Sequence, residues 1–284
     1  MTNKIFAANR QVEQTVTGDR VSDGAGVRLK RIIGGSGLAE LDPFLLFDEF
    51  KSDNPGDYIG GFPDHPHRGF ETVTYLMAGI VEHKDSVGNS GVLQPGGAQW
   101  MTAGRGLVHS EMPKQKDGLL WGFQLWVNLP AKSKMVAPRY QDIEPGQIPV
   151  APLPGGGAAR VLAGEIFGVK GPVNGIVTIP LYLDIALPAG AAAIIPVEET
   201  KSAFLYVAEG SVAVGEQILS AGALGKLGAG DSIQLTGGEA GTRLLLVAAR
   251  PIGEPVARWG PFVMNTSQEI EQAFLDYRQG RIRD

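Results

Sequence analysis

Short apolar runs separated by turn-forming residues recur along the whole chain. Each run is bounded by Gly, Pro, Asp or Asn, the residues that favour tight turns. Many short strands with turn signals between them are typical of a β-sandwich or a β-barrel, so the pattern predicts an all-β protein. The clearest strand candidates are 27–33, 44–50, 70–77, 122–129, 176–186, 203–208 and 243–248.

One helical pattern stands out, close to the C-terminus. Thr266 and Glu269 have the spacing of a capping box, and Gly280 is placed to end the helix. The apolar stripe between them consists of Ile270, Phe274 and Tyr277. The pattern therefore predicts a short C-terminal helix on an otherwise β-rich chain.

Residues 130–157 interrupt the strand pattern. Six prolines lie there together with Gly155-Gly156-Gly157, a composition that favours an extended connection. We therefore expect an N-terminal barrel at residues 1–135, a connection at 136–158, and a C-terminal barrel with the terminal helix at 159–284.

The two halves of the chain also resemble each other weakly. Residues 75–81 (YLMAGIV) match 206–212 (YVAEGSV), and 93–97 (LQPGG) parallel 227–231 (LGAGD). The two offsets differ by three residues, which favours a duplicated β-barrel.

Composition excludes several functional classes. The 284 residues contain no cysteine, which excludes disulfides, Cys-ligated zinc, iron–sulfur clusters and thiol catalysis. The net charge is −5 and no Lys/Arg run is present, so we expect no direct nucleic-acid binding. The N-terminus lacks a signal-peptide core and no apolar segment approaches about 20 residues, so we expect no membrane span. A cytoplasmic location, or a nuclear one in a eukaryote, follows as the expectation.

The positions of the histidines predict a functional site. Of four histidines, three fall in two ligand-x-ligand pairs, His65-Pro66-His67 and His109-Ser110-Glu111. Residues two apart in a β-strand share a face, so two adjacent strands would direct all four ligands into one space. The sequence therefore predicts a metal site formed by His65, His67, His109 and Glu111.

The C-terminal barrel has no equivalent ligands. The repeat offsets place Pro196 and Glu198 opposite the first two histidines and Arg243 opposite the third. The second half also contains no histidine. We expect that barrel to lack a metal site and to serve a structural role, shape a pocket mouth or bind a partner.

Three imidazoles and a carboxylate suit one borderline divalent metal per chain, such as Fe, Mn, Ni, Cu, Co or Zn. Magnesium and calcium prefer harder oxygen ligands and are disfavoured. Four ligands could close a tetrahedral zinc site, or leave two positions of an octahedral metal open for substrate and dioxygen. The ligand set alone leaves this choice open.

Several neighbouring residues have alternative interpretations. Glu71, four residues after His67, competes with Glu111 for the carboxylate position. His83 is expected to lie in a solvated strand or hairpin, or behind the ligands. Arg68 and Arg105 either steer an anionic substrate or form structural salt bridges. Phe70, Trp100, Met101 and Arg68 are the expected walls of a pocket for an aromatic or enolic ligand.

With these residues in view, the chain resembles the pirin family of the cupin superfamily. The resemblance rests on 42–50 (DPFLLFDEF), 62–75 (FPDHPHRGFETVTY), 99–113 (QWMTAGRGLVHSEMP) and 138–141 (PRYQ). It implies two jelly-roll β-barrels packed face to face, with a short C-terminal helix and one metal in the N-terminal barrel. The implied metal is iron, held by His65, His67, His109 and Glu111. The carboxylate of the broader cupin pattern maps to Glu71, which pirin-like proteins do not use as a ligand.

The resemblance implies two functional hypotheses. Some family members are similar in activity to quercetin 2,3-dioxygenases, which implies an aromatic enolic substrate, dioxygen as co-substrate and Glu111 as the general base. Others act as transcription co-regulators that depend on the metal's redox state, which implies a protein partner. A dioxygenase with a different enolic substrate is a variant of the first hypothesis. The sequence specifies no oligomeric state.

Overall fold

The computed structural model describes residues 8–86 and 88–283, which are mostly β-strand. The first twelve strands are β1 (Val12–Val16), β2 (Asp19–Asp23), β3 (Val27–Ile33), β4 (Phe44–Ser52), β5 (Phe62–His67), β6 (Phe70–Ala78), β7 (Val81–Asp85), β8 (Ser90–Leu93), β9 (Ala98–Thr102), β10 (Leu107–Pro113), β11 (Leu120–Asn128) and β12 (Arg139–Ile143). The remaining strands are β13 (Val150–Pro152), β14 (Ala158–Ala163), β15 (Glu165–Ile166), β16 (Val169–Lys170), β17 (Leu181–Leu187), β18 (Ala192–Pro196), β19 (Ser202–Val214), β20 (Gln217–Ser220), β21 (Leu224–Leu227), β22 (Ser232–Ala249), β23 (Ala257–Trp259) and β24 (Phe262–Met264). The all-β prediction is confirmed.

The predicted terminal helix is present as α1 (Ser267–Arg278). The Thr266 side chain accepts a hydrogen bond from the Glu269 backbone N–H, and the Glu269 carboxylate accepts from the Thr266 backbone N–H. This is the predicted capping box. Among the described residues, no helix has the length and apolar character needed to cross a membrane. Three single 3₁₀ turns cover Pro55–Asp57, Ala131–Ser133 and Pro145–Gln147.

The described chain divides into two compact units, each discontinuous in sequence. The histidine unit comprises residues 18–146 and 252–283, and the aliphatic unit comprises residues 8–17 and 147–251. This division differs from the contiguous ranges expected from sequence. The N-terminal strand β1 pairs with β21, and the predicted connection contributes β12 to one sheet and β13 to the other.

The histidine unit contains two antiparallel sheets. The larger sheet has the order β12-β9-β6-β11-β4-β3-β2, and the smaller has the order β5-β10-β7-β8. Strand alternation gives each strand one inward face. On β4 the inward residues are Leu46, Asp48 and Phe50, and on β11 they are Gln124 and Trp126. The inward faces therefore mix apolar and polar side chains.

The aliphatic unit is built on one nine-stranded antiparallel sheet. Its path is β1-β21-β19-β22-β17-β14-β13, with β18 on β22 and β20 on β19. Its core is a cluster of buried Val, Leu, Ile and Ala side chains, to which β19 contributes Leu205 and Val207 and β22 contributes Leu244 and Leu246. β17 of this sheet also carries a buried charged residue, Asp184, which accepts two hydrogen bonds from Arg243.

Candidate metal centre

Two adjacent strands bring three histidines together in the histidine unit. β5 and β10 are antiparallel, and His65 lies directly opposite His109 in their register. The ring centroids of His65 lie 4.4 Å from His109 and 4.7 Å from His67. One nitrogen from each of the three rings lies within 4.8 Å of the others. The predicted convergence of the histidine pairs is therefore present.

These histidines suit a divalent metal by their burial and by their unmatched nitrogens. His67 and His109 are buried, and burial, together with the neighbouring histidines, holds the pKa of each well below its usual value. They are therefore neutral imidazoles, the form that binds metal. Both ring nitrogens of His109 lack a hydrogen-bond partner, an arrangement that is costly in a buried site unless a ligand is bound.

Glu111 lies outside this three-histidine group and is held by two polar side chains. Its Oε1 lies 2.8 Å from the Thr74 hydroxyl, and its Oε2 accepts from the Gln124 amide at 3.1 Å. The Thr74 hydroxyl also lies 2.6 Å from the Gln124 amide oxygen. The three side chains form a closed ring of hydrogen-bonding atoms beside the histidines.

A cavity of about 420 Å³ opens onto the site. His65, His67 and Glu111 line it, whereas His109 does not. The volume is in the range typical of small-molecule sites. Most of the other lining residues are apolar, and they include Val27, Leu29, Leu46, Phe50, Tyr58, Phe62, Val81, Leu120 and Trp126.

Charged residues also line the cavity. Arg31 makes two hydrogen bonds to the Asp48 carboxylate, at 3.1 and 2.8 Å, and one to Asp23 at 2.8 Å. Burial raises the pKa of Asp48 to about 6, although the Arg31 guanidinium opposes this shift. Arg258, from β23, lies over the Trp126 ring, with 4.7 Å between its guanidinium carbon and the ring centroid.

A separate group of contacts holds the turn behind His67. The Lys134 ammonium is buried and donates to the carbonyls of Gly69 and Val263 and to the Asn128 side chain, at 2.6–3.0 Å. Gly69 has φ +89°, and a Cβ there would collide with the Val263 carbonyl. The turn therefore requires glycine, and the C-terminal strand β24 packs directly against it.

The four residues predicted to wall the substrate pocket do not line this cavity. Phe70 is fully buried against His67 and Trp126, and Trp100 and Met101 lie in the core on β9. Arg68 is buried and binds Asp276 at 2.6 Å and the carbonyls of Arg105 and Ile282. Its role is to attach the C-terminal segment, because its charge is already paired.

Glu71 lies away from the histidines. The turn at Gly69 ends β5, and β6 places Glu71 and Thr74 on opposite faces. Glu71 accepts from Thr102 at 2.6 Å, and burial raises its pKa to about 7. Glu71 could share a face with His67 only if the chain stayed extended, and the turn between β5 and β6 interrupts it.

His83 is buried and does not lie in a solvated hairpin. Its register partner on β10 is Glu111, its ring stacks on Tyr140 with 5.9 Å between centroids, and its Nε2 lies 3.5 Å from Asp142. Of the two expectations for His83, the structure agrees with a position behind the ligands.

Sequence reasoning missed the polar residues that complete the site. Thr74 and Gln124 occupy inward positions on β6 and β11, next to each other in the strand register. Period-2 alternation in 70–77 could have identified Thr74 as inward-facing. Arg31 and Asp48 are partners on the consecutive strands β3 and β4, whereas Arg258 comes from more than 200 residues further along the chain.

Comparisons with known proteins agree with this architecture. The profile described as Pirin matches residues 26–127, and that of the Pirin C-terminal cupin domain matches 182–283. A "Pirin-like protein" of Caulobacter vibrioides is 50% identical, covering 96% of this chain and 99% of that protein. A protein of Pseudomonas aeruginosa named "Putative quercetin 2,3-dioxygenase" is 48% identical over 95% of this chain and 97% of its own length.

A solved structure extends the comparison to the fold. The crystal structure of quercetin 2,3-dioxygenase from Acinetobacter baumannii superimposes with a TM-score of 0.89 and 34% identity, covering 97% of this chain and 99% of that one. The predicted pair of cupin-type domains is thereby confirmed. The chain belongs to the pirin family.

Proposed function

We propose that this protein is a metal-dependent dioxygenase that opens an aromatic enol of the flavonol type, such as quercetin. One observation carries the proposal: a cavity of about 420 Å³ with mostly apolar walls is lined by His65, His67 and Glu111. The quercetin 2,3-dioxygenase names of the Pseudomonas relative and the Acinetobacter structure support the substrate class.

His65, His67 and His109 would hold one divalent metal, with Glu111 as the proposed fourth ligand and iron as the proposed metal. When bound, such a metal supplies Lewis acidity and, if it is iron, redox chemistry towards dioxygen. The protein contributes neutral imidazoles and a mostly apolar enclosure.

Glu111 is the proposed acceptor of the proton of the substrate's enolic hydroxyl. Glu111 Oε1 and Gln124 Oε1 both face the single hydrogen of the Thr74 hydroxyl, so one acceptor is unsatisfied while Glu111 is ionised. A proton gained at Glu111 Oε1 can be donated to Thr74, whose own hydrogen then serves Gln124. The Gln124 amide continues to donate to Glu111 Oε2. Thr74 and Gln124 thereby orient Glu111 and accommodate the proton that it receives.

The apolar walls explain how a planar aromatic substrate would be retained. Leu29, Phe50 and Phe62 offer flat or branched apolar surface, and burial of such surface contributes about 25 cal/mol per Å². The same surface excludes water from the histidines, which protects a reactive enolate from solvent.

Oxygen uptake by anaerobically iron-loaded protein on addition of quercetin tests the proposal, with His109→Ala as the control. We expect uptake coupled to loss of the flavonol, and none in the variant. Absence of uptake from protein that demonstrably holds iron would contradict the proposal and favour the regulatory hypothesis.

Glu111→Gln tests the general-base role separately. The amide keeps the size of the side chain and cannot accept the proton, so we expect kcat to fall about 100-fold, within the range for general-base catalysis. We expect the dissociation constant for quercetin to change far less. Unchanged kcat at full metal occupancy would exclude Glu111 as the base.

A further inference from the structure

The cavity contains two arginines with different surroundings. Arg31 is engaged by two carboxylates, Asp48 and Asp23, through three hydrogen bonds. Arg258 has no carboxylate within 4.0 Å among the described residues. Its guanidinium makes one hydrogen bond there, from Nη1 to the Leu45 carbonyl at 3.0 Å.

The Arg258 guanidinium also lies at a defined place relative to the histidines. Its central carbon lies over the Trp126 ring, 4.7 Å from the centroid, and the Trp126 ring meets the His67 ring edge-to-face, with 5.2 Å between centroids. The guanidinium is therefore no farther from the His67 ring than these two distances combined. About one aromatic ring separates the cation from the candidate metal centre.

Arg258 occupies the solvent side of the cavity. It is an exposed residue that also contributes to the cavity lining, beside Gly260 and Pro261 of the β23–β24 turn. The Trp126 ring and the Leu45 carbonyl hold the guanidinium in place, and its remaining N–H groups keep the fork that matches a carboxylate. A cation so placed can hold the outer end of a ligand whose inner end reaches the histidines.

We propose that Arg258 binds a carboxylate carried by the substrate, so that the natural substrate is an aromatic enol bearing an acidic group at its outer end. This inference rests on the proposed function, since it assigns the substrate class of the same cavity. Carboxylate is the group selected, because a planar guanidinium pairs with it through two parallel hydrogen bonds. Arg31 is not selected, because two carboxylates, Asp48 and Asp23, already balance its charge.

Ligand binding without turnover tests the inference. The full-length protein loaded with Ni²⁺ is titrated under nitrogen, by calorimetry, with 3-hydroxyflavone and with its 4′-carboxylate. We expect the carboxylate to bind about 5- to 10-fold more tightly, a range set by a bidentate pair at a partly solvated site. Arg258→Gln should remove that preference and leave the affinity for 3-hydroxyflavone within about 2-fold.

Two further variants separate a specific contact from general charge. Arg258→Lys should retain part of the preference, because it keeps the charge and loses the fork. Arg28→Gln makes the same change in net charge at an exposed residue outside the cavity lining, and should retain the full preference. A preference that is absent in the wild type, or that survives in Arg258→Gln, would overturn the inference.

Failure of the inference and failure of the proposed function are distinguishable. Oxygen uptake with quercetin and no carboxylate preference would retain the dioxygenase and reject Arg258 as the anchor. A carboxylate preference that Arg258→Gln abolishes, without oxygen uptake, would retain the anionic aromatic ligand and reject the dioxygenase.

Discussion

The strands of the histidine unit and those of the aliphatic unit differ in the side chains that face the interior. β19 and β22 of the aliphatic unit contribute Leu205, Val207, Leu244 and Leu246 to a cluster of buried aliphatic side chains. β5, β10 and β11 of the histidine unit turn in three imidazoles and the polar pair Glu111 and Gln124. The histidine unit therefore keeps polar side chains around a cavity of about 420 Å³, whereas the inward Leu and Val side chains of β19 and β22 pack into an aliphatic cluster.

The positions that the repeat equates with the ligands show the same contrast. Glu198, matched to His67, is exposed and pairs with Lys201 at 3.1 Å. Arg243, matched to His109, forms two hydrogen bonds with Asp184, at 3.0 and 2.7 Å. Among the described residues, the only cluster that could hold a metal is His65, His67 and His109. The strand pairing does not follow these offsets, because Glu198 lies outside the strands and Arg243 pairs with β17 and β19, whereas His109 pairs with β5 and β7.

Metal stoichiometry gives the largest contrast between the units. We expect one metal per chain in the wild type, none in His109→Ala, and one in Glu198→Gln, because among the described residues only the histidine unit offers converging ligands. Elemental analysis after dialysis measures this. Full metal occupancy in His109→Ala, or loss of metal in Glu198→Gln, would contradict the assignment of metal binding to the histidine unit.

Packing gives the second contrast. Leu246→Ala in the filled core should lower the free energy of unfolding by about 3 kcal/mol, because it opens a new void. Leu29→Ala should cost about half as much, since Leu29 already borders the cavity and has fewer neighbouring atoms to lose. Urea unfolding of the metal-free variants compares them, and equal losses would show that the cavity does not exist in solution.

The turn behind His67 provides a third test, confined to the histidine unit. Lys134→Met removes the donor to three buried oxygen atoms, so we expect a loss of about 2 kcal/mol in unfolding free energy. Nickel affinity should also fall about 10-fold, because the turn positions His67. The exposed Lys132→Met is the matched control. Unchanged nickel affinity in folded Lys134→Met would reject its positioning role.

The loss of stability at acidic pH should be the smallest of these effects. Burial lowers the pKa of His109 in the native state, so below about pH 6.5 the unfolded chain binds a proton that the native chain does not. Stability from this group is complete above pH 6.5 and falls as the pH decreases. Between pH 6.5 and 5.5, metal-free wild type should lose about 1 kcal/mol more than His109→Gln.

For Asp48 and Glu71 the change of stability with pH has the opposite sign. Burial raises their pKa values to about 6 and about 7, so their contribution to stability increases as the pH decreases. Both groups are present in wild type and variant, so their contributions cancel in the comparison. Parallel pH profiles for the two proteins would show that His109 is not buried in neutral form.

Sequence alone predicted the elements whose signals are local. The capping box of α1 and the shared face of His65 and His67 on β5 follow from spacing within a few residues. The predicted strand at 27–33 matches β3 at both ends. Such features depend on backbone periodicity and on short-range hydrogen bonds, which a single segment specifies.

The rest depends on distant segments meeting. β1 joins a sheet whose partner strand begins at Leu224, and Arg258 reaches Trp126 from β23. Phe70 was expected to face the cavity, but the turn at Gly69 redirects the chain and leaves Phe70 in the core. Tertiary contacts of this kind have no local sequence signal.

Anomalous scattering from crystals of the iron-loaded protein, measured on both sides of the iron absorption edge, would locate the metal and test whether the three histidines bind it. We expect one anomalous peak per chain, surrounded by His65, His67 and His109. A peak at any other position, or a second peak in the aliphatic unit, would contradict it.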